Sequence, residues 1–186
     1  MQALEVFAGA RARRVTRAEY ERMAKLGFFL GERVELIHGI VVRMPPIGPP
    51  HAEVVDRLTA LFVRALGDRA RVRIQQPFLA CDDSEPEPDV AVVAARSYAA
   101  GHPERALLII EVAETSLEYD RKTKAALYAG SSVTDYWVVD VAGQCIEVFG
   151  DPTDGRYAST RRVGCGEELS PSSFPDVIVR VSDLVE

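Results

Sequence analysis

The chain has 186 residues, 47% of them apolar, which is enough for one compact domain with a hydrophobic core. No stretch approaches the ~18 continuous apolar residues of a membrane span, and the N-terminus lacks the basic start and apolar run of a signal peptide. A net charge of −6 is a mark against nucleic-acid binding, because phosphate binding normally leaves a basic footprint, and three scattered cysteines argue against a disulfide framework or a zinc site. We therefore expect a soluble, cytoplasmic, single-domain protein over residues 1–186 that makes no membrane contact, with residues 1–15 as a flexible N-terminal segment.

The first third of the chain predicts two helices and a hairpin. Thr16 to Glu19 has the form of a capping box, which predicts a helix from about Arg17 to Leu26. ERVELI and IVVRM are β-rich runs joined by His38-Gly39, a pattern typical of a hairpin. The PPIGPP segment predicts a loop over residues 45–50, and apolar residues at helical spacing predict a second helix from His51 to about Gly67.

The rest of the chain predicts a sheet with one more helix. RVRIQQPFLA alternates like a strand, DVAVVA, ALLIIEVA and VTDYWVVDV read as central strands, and CIEVF, RYASTRRV and VIVRV complete the set. Thr115 or Ser116 can cap a helix from about Leu117 to Ala129. The order of these elements predicts an α/β or α+β fold, with a mixed central β-sheet flanked by helices.

Two acidic residues lie on strands predicted to be adjacent and central. Asp89 begins DVAVVA and Glu111 follows four apolar residues in LLIIEV. Carboxylates that approach one another in a buried sheet repel, and each tends to raise the pKa of the other. A divalent cation removes that repulsion, and Mg²⁺ prefers one or two carboxylates together with waters and a substrate phosphate. The pair therefore indicates a Mg²⁺ or Mn²⁺ site suited to metal-assisted hydrolysis.

A lysine on the following helix supplies a third group. Asp120, Lys124 and Tyr128 are spaced i, i+4 and i+8, so they share one helix face, whereas Lys122 points away from it. An ammonium beside a scissile phosphate can orient the attacking water or stabilise developing negative charge.

These residues occur in an order that resembles a known family. The motifs are Pro88-Asp89, Glu111-Val112, Ser116, Tyr119 to Arg121, Lys124, Tyr128 and Asp135 to Trp137, preceded by Glu35 to Gly39 and by His51 after the proline-rich loop. Together they resemble the Uma2 family, which consists of restriction-endonuclease-like proteins of the PD-(D/E)xK nuclease superfamily. The resemblance runs from about Thr16 to Val141, and more weakly to the end of the chain.

The resemblance implies a restriction-endonuclease-like core in which Asp89 and Glu111 bind Mg²⁺. The backbone at Val112 and Ala113, in particular the carbonyl of Ala113, is expected to complete the metal site. The superfamily pattern places lysine where this chain has Ala113, so Lys124 becomes the candidate for the displaced lysine.

Other positions of the pattern carry further expectations. Glu35 is similar to the extra acid that some members contribute. His38 stands at a position that is often acidic in the family. His51, Asp120 and Tyr128 are possible additional site residues.

Each residue also has a structural alternative. Asp89 and Glu111 could form an ion-paired core with Lys124 or Arg121, and Lys124 could instead pair with Asp120 along its helix. The remaining alternatives are a solvent-facing Glu35, a His51 that satisfies an early helix backbone group, a Ser116 that caps a helix, and core positions for Tyr136 and Trp137.

Three basic clusters are predicted to be solvated surface: Arg11, Arg13, Arg14 and Arg17; Arg69, Arg71 and Arg73; and Arg121, Lys122 and Lys124.

The function expected from the sequence is a divalent-metal-dependent endonuclease that hydrolyses phosphodiester bonds of DNA and acts as a homodimer. The alternative is a catalytically inactive module that keeps the nuclease fold and binds nucleic acid or a protein partner. The absence of lysine at position 113 and the acidic net charge motivate this alternative. A regulatory protein that pairs through exposed C-terminal strands is a third class.

Overall fold

The computed structural model describes residues 12–185, so Arg11 and most of the expected flexible N-terminal segment lie outside the described residues. The chain divides into two compact units. Among the described residues, the smaller unit comprises residues 12–45 together with Cys81–Glu85, and the larger comprises Pro46–Ala80 together with residues 86–185. A single domain over residues 1–186 stays a prediction.

The smaller unit contains one helix and one hairpin. Helix α1 (Arg17–Lys25) begins with the predicted capping box, in which Thr16 and Glu19 bond to one another's backbone. Strands β1 (Val34–Ile37) and β2 (Ile40–Arg43) pair antiparallel. His38 and Gly39 both have positive φ, at 48° and 73°, as a two-residue turn that matches the twist of its strands requires.

The larger unit is built on a six-stranded mixed sheet. In spatial order its strands are β3 (Ala70–Ile74), β4 (Val90–Ala94), β5 (Leu108–Ala113), β6 (Asp135–Asp140), β7 (Cys145–Thr153) and β8 (Arg156–Gly164). Strands β5 and β6 run parallel, and every other neighbouring pair runs antiparallel. The predicted mixed central sheet flanked by helices is therefore confirmed.

Each face of this sheet has its own apolar core. Helix α2 (Pro49–Leu66) packs on one face through residues such as Leu58 and Phe62. The other face carries Ala91, Ile109 and Tyr136, covered by helix α4 (Ala125–Gly130). Tyr136 and Trp137 are fully buried, one on each face, which confirms their core positions.

The two prolines that close the PPIGPP segment belong to α2 rather than to the predicted loop. Helix α2 begins at Pro49, two residues before the predicted start at His51. Proline suits the first helical turn, because its fixed φ is helical and the backbone N–H it lacks would have no partner there. The loop prediction was wrong for Pro49 and Pro50 for this reason.

Strand β3 is shorter than the predicted RVRIQQPFLA strand. It ends at Ile74, because Gln75 has a φ of +48° and leaves the extended conformation. The backbone N–H of Gln75 still donates to the backbone carbonyls of Pro88 and Asp89, at 3.1 and 3.2 Å.

The helix predicted over residues 117–129 consists of three segments. Helix α3 (Leu117–Tyr119) leads into a π-helical turn (Asp120–Lys124), and α4 follows. In the π turn the amide of Ala125 donates to the carbonyl of Asp120, five residues earlier, instead of four. The sequence contains no glycine or proline there, so its helical spacing gave no indication of this turn.

The C-terminal region adds three short elements. Strands β9 (Glu168–Leu169) and β10 (Val179–Arg180) pair antiparallel, and helix α5 (Ser182–Val185) follows. Leu169, Val179 and Leu184 extend the core on the α2 face of the sheet. Within residues 12–185, no helix is both long and apolar enough to cross a membrane.

Candidate active site

Asp89 lies immediately before β4 and is held by three hydrogen-bonding partners. Nε2 of His51, in the first turn of α2, lies 3.0 Å from Oδ1 of Asp89. The side-chain amide of Gln75 donates to the same oxygen at 3.1 Å. The backbone N–H of Val112 donates to Oδ2 at 2.9 Å. Asp89 is 6% exposed, so these contacts replace most of its hydration.

Glu111 lies on β5 and faces the helical segment that follows it. Lys124 donates to its Oε1 at 2.9 Å, and the hydroxyl of Tyr128 donates to the same oxygen at 2.7 Å. All three side chains are buried. A buried carboxylate that receives a charged and a neutral donor is stabilised in its ionised form.

The sheet register brings the two acids side by side. Val90 pairs with Ile110, which places Asp89 opposite Glu111 on adjacent strands. The backbone amide of Asp89 lies 3.4 Å from Oε2 of Glu111, so the glutamate carboxylate reaches the main chain of the aspartate. The structure therefore brings together Asp89, Glu111 and Lys124, the three residues that the sequence predicted would converge.

The electrostatics of Asp89 differ from the repulsion expected from the sequence. Burial raises its pKa, but hydrogen bonds and charge from His51, together with the Val112 amide and Gln75, more than offset this and lower the pKa. The hydrogen bond that His51 donates to Asp89 correspondingly raises the pKa of His51, against the opposing effect of burial. The net shift of the Asp89 pKa is therefore downward, because His51 compensates its charge.

The π turn contributes to the placement of Lys124. The hydroxyl of Tyr136, on β6, donates to the carbonyl of Asp120 at 3.0 Å, and so ties the start of the turn to the sheet. Burial raises the pKa of Tyr136 well above its usual value, which keeps this hydroxyl protonated. The side chain of Lys122 is 76% exposed and pairs with Glu118. This agrees with the prediction that Lys122 points away from the helix face of Lys124.

Ser116 stands at the N-cap position of α3, but its hydroxyl makes no capping bond there. It donates instead to Oδ2 of Asp120 at 2.5 Å. Asp120 is 3% exposed, so its side chain is buried. Ser116 thus bonds to the side chain of Asp120, and Tyr136 bonds to the backbone carbonyl of the same residue.

The backbone of Val112 and that of Ala113, both expected near the metal, have different partners. The carbonyl of Ala113 accepts a hydrogen bond from the amide of Val141 at 3.2 Å, as part of the connection to β6. Val112 contacts Asp89 through its backbone N–H, at 2.9 Å. A backbone hydrogen bond with Val112 is also among the causes that raise the pKa of His51.

Glu35 belongs to the smaller unit, on β1 opposite Val42. It is 3% exposed, so the alternative of a solvent-facing glutamate was wrong. His38 occupies the tight turn of the hairpin, where its amide donates to Oγ of Ser84 at 2.8 Å. A part for Glu35 or His38 in metal binding stays a prediction.

The chemistry of Asp89 and Glu111 fits a hard divalent cation. A carboxylate offers about four lone-pair sites, and the contacts above use three on Asp89. Mg²⁺ needs only one or two carboxylates, because waters fill its other positions. Among the residues that the structure describes, no group of three or more His, Cys, Asp or Glu side chains could hold a metal ion. The donor set is thus two acids rather than an all-protein cage.

Gln75 is a site residue that the sequence did not reveal. Its contact with Asp89 depends on the left-handed backbone that ends β3, a conformation uncommon for residues other than glycine. A pair of glutamines after a strand predicts neither the conformation nor the contact. For His51 the sequence favoured a helix backbone partner, whereas its ring contacts Asp89.

The sequence profile of Uma2, described as "Putative restriction endonuclease", matches residues 17–182. The chain belongs to the Uma2 family. The match covers both units and every candidate residue named above. Uma2 membership supports a nuclease with a nucleic-acid substrate, in a class that generally uses divalent metals.

The Uma2 chain also resembles a crystal structure described as a putative nuclease belonging to DUF820, from Anabaena variabilis ATCC 29413. The TM-score is 0.72 at 17% sequence identity, and the match covers 92% of this chain and 97% of the other. At that identity the similarity shows a shared fold. No curated protein matches the chain.

Proposed function

We propose that this Uma2 protein is a Mg²⁺- or Mn²⁺-dependent endonuclease that hydrolyses phosphodiester bonds of DNA. The observation that supports it best is the contact between Lys124 and Glu111 at 2.9 Å, on a carboxylate that lies beside Asp89. In this proposal Asp89 and Glu111 bind the metal, the carbonyl of Val112 or Ala113 completes the set, and Lys124 is the catalytic amine.

The bound ion would supply Lewis-acid polarisation of the phosphate and a water of lowered pKa. The chain's own groups position the rest of the site. Lys124 brings a positive charge to Glu111 from the side of the helix, where it can orient a water or stabilise charge on the phosphate. Tyr128 fixes the same carboxylate oxygen, so the acid and the amine keep one geometry.

His51 and Gln75 act on the other acid. Their contacts with Oδ1 of Asp89 leave Oδ2, which also receives the Val112 amide, as the oxygen with more room for a cation. We propose that His51 positions the carboxylate of Asp89 that would bind the metal. Asp120 and Tyr128 are proposed as supporting residues around this centre, and a role for Glu35 stays a prediction.

The test is cleavage of supercoiled DNA by purified protein with Mg²⁺ or Mn²⁺. Wild type should cut, and Glu111→Gln and Lys124→Ala should not. Glu118→Gln and Lys122→Ala are matched controls, because these two residues form an exposed ion pair on the same helical segment. Equal cutting by Glu111→Gln and wild type, or no cutting by wild type with either metal, would count against the proposal.

The second candidate is the inactive module that binds nucleic acid or a protein. Ala113 in place of the pattern's lysine favours it, and so does the net charge of −6. Calorimetric titration with Mn²⁺ separates the two candidates. Binding to wild type but not to Asp89→Ala supports the metal site, and equal weak binding supports the inactive module. A homodimer and a cytoplasmic location stay predictions.

A further inference from the structure

A second group of charged residues lies on the same sheet face as the candidate site, at the sheet edge. Arg73, on the edge strand β3, is only 8% exposed. Its guanidinium lies 3.1 Å from Nδ1 of His102 and 5.4 Å from the ring centroid of Tyr98, and its Nε has no hydrogen-bond partner. Within residues 12–185, no ion pair involves Arg73, so a buried cation lacks a carboxylate partner.

More positive charge surrounds this arginine. The guanidinium of Arg96 lies 5.0 Å from the same Tyr98 ring. Burial lowers the pKa of Arg73, the charge of Tyr98 raises it, and the nearby charge of Arg71 lowers it further. Arg71, Arg96 and His102 are exposed. The Arg73 cluster, defined as Arg71, Arg73, Arg96 and His102 around Tyr98, thus contains three arginines, of which Arg73 is buried and donates to Nδ1 of His102.

Several other basic groups on the larger unit have acidic partners. Arg69 pairs with Asp176 at 2.9 Å, Arg121 pairs with Glu147, and Lys122 pairs with Glu118 at 2.6 Å. Burying a charge without a counter-charge is costly. Arg73 is buried without such a partner among the described residues, and an anionic ligand would relieve the cost.

The register relates this cluster to the proposed site. Arg73 pairs with Ala91, and Asp89 lies two residues before Ala91 on the same face of the sheet. Arg73 and Asp89 are therefore diagonal neighbours, for which the usual separation in a sheet is about 7–8 Å. Glu111 shares this face, because it lies between Ile109 and Ala113, which pack in the same core as Ala91 and Tyr98.

We propose that the Arg73 cluster binds a backbone phosphate of the nucleic acid whose neighbouring phosphate occupies the candidate site. The inference rests on the proposed function for the identity of its ligand. Guanidinium groups recognise phosphate oxygens through paired, charge-assisted hydrogen bonds. Arg73 and Arg96 could bind one phosphate together, because their guanidinium groups lie 5.4 and 5.0 Å from the same Tyr98 ring centroid. The cluster would then hold the substrate strand relative to Asp89 and Glu111.

The experiment measures binding of a short fluorescent duplex DNA, and of a duplex RNA of the same sequence, in EDTA over a range of salt concentrations. Each lost phosphate contact lowers the slope of log K against log salt by about 0.9 for duplex DNA. We expect Arg73→Met to weaken binding about tenfold and to lower the slope by about that amount. Arg73→Lys should retain most of the slope, because it keeps the charge.

The control is Arg64→Ala, which removes one exposed arginine from α2, on the opposite face of the sheet. It should leave the slope unchanged. Circular dichroism melting establishes that each variant is folded. If Arg73→Met does not fold, the double variant Arg71→Ala/Arg96→Ala decides, because both of its side chains are exposed.

The deciding variant is Arg73→Met or, if that does not fold, the double variant. A slope of log K against log salt equal to that of wild type in this variant, on both duplexes, would overturn the inference. Failure of wild type to bind either duplex at low salt would overturn it as well. A reduced slope on either duplex supports it and identifies the nucleic acid. Because EDTA prevents metal-dependent cutting, a reduced slope combined with no cleavage in the presence of metal would refute the nuclease and leave the phosphate site standing.

Discussion

The backbone N–H of Val112 donates to Oδ2 of Asp89 at 2.9 Å, so the strand that carries one acid also anchors the other. Removing Asp89 would leave this amide, together with donors on Gln75 and His51, without an acceptor in a buried place. Repulsion between two carboxylates would by itself make such a removal relieve strain. The contacts of Asp89 now predict the opposite.

We therefore expect Asp89→Ala to lower the free energy of unfolding of the metal-free protein by about 1–3 kcal/mol. Asp89→Asn, which keeps an acceptor oxygen, should cost less. Urea denaturation in EDTA measures both values. An Asp89→Ala protein as stable as wild type would show that these hydrogen bonds contribute little.

Lys124→Met should destabilise the protein by about 3–5 kcal/mol, because it leaves the carboxylate of Glu111 buried without its cation. Lys122→Met, whose side chain is exposed, should change little. In the cleavage assay we expect Lys124→Met to lose about 10²-fold or more in rate. Parallel thermal melts and cleavage assays on the two variants test both expectations, and equal behaviour of the two lysines would contradict them.

Tyr136→Phe tests whether the π turn serves the site. The substitution removes a single neutral hydrogen bond to the Asp120 carbonyl, so stability should fall by only about 1 kcal/mol. Cleavage should fall more than that loss explains, because Lys124 ends the same turn. Tyr157→Phe is the comparison, since its hydroxyl donates to the Val133 carbonyl outside the turn. Equal cleavage rates in the two variants would show that the π turn does not contribute to catalysis.

Metal should stabilise the folded protein if it binds between the acids. At about 100 times the dissociation constant, a ligand that binds only the native state adds about 2.7 kcal/mol. We expect Mn²⁺ to raise the melting temperature of wild type, EDTA to reverse the rise, and Glu111→Gln to show none. A shift that survives in Glu111→Gln would place the ion elsewhere.

Much of the fold follows from short-range patterns in the sequence. The capping box at Thr16 and the His38-Gly39 turn are local devices, and the structure has both. The helical spacing of Lys124 and Tyr128 correctly placed them on the side of Glu111. Local spacing suffices there because a helix face is fixed by a few neighbouring residues.

The remaining features depend on groups that are distant in the sequence. His51 meets Asp89 across 38 positions, and Gln75 meets it through an unusual backbone conformation. The unpaired charge of Arg73 becomes apparent only when its strand partner and the loop that carries His102 are known. No periodicity encodes such contacts, because they arise from how the elements pack.

The widened turn between Asp120 and Lys124 also bears on how this segment can vary in length. A π turn holds one residue more than the α-helical turn it replaces, so the helical segments on its two sides keep nearly the same direction. Removing one residue between Asp120 and Lys124 would therefore restore ordinary helical bonding and leave Tyr128 facing the interior. The extra residue redirects side chains only within the turn, and Lys124 is the residue that ends it.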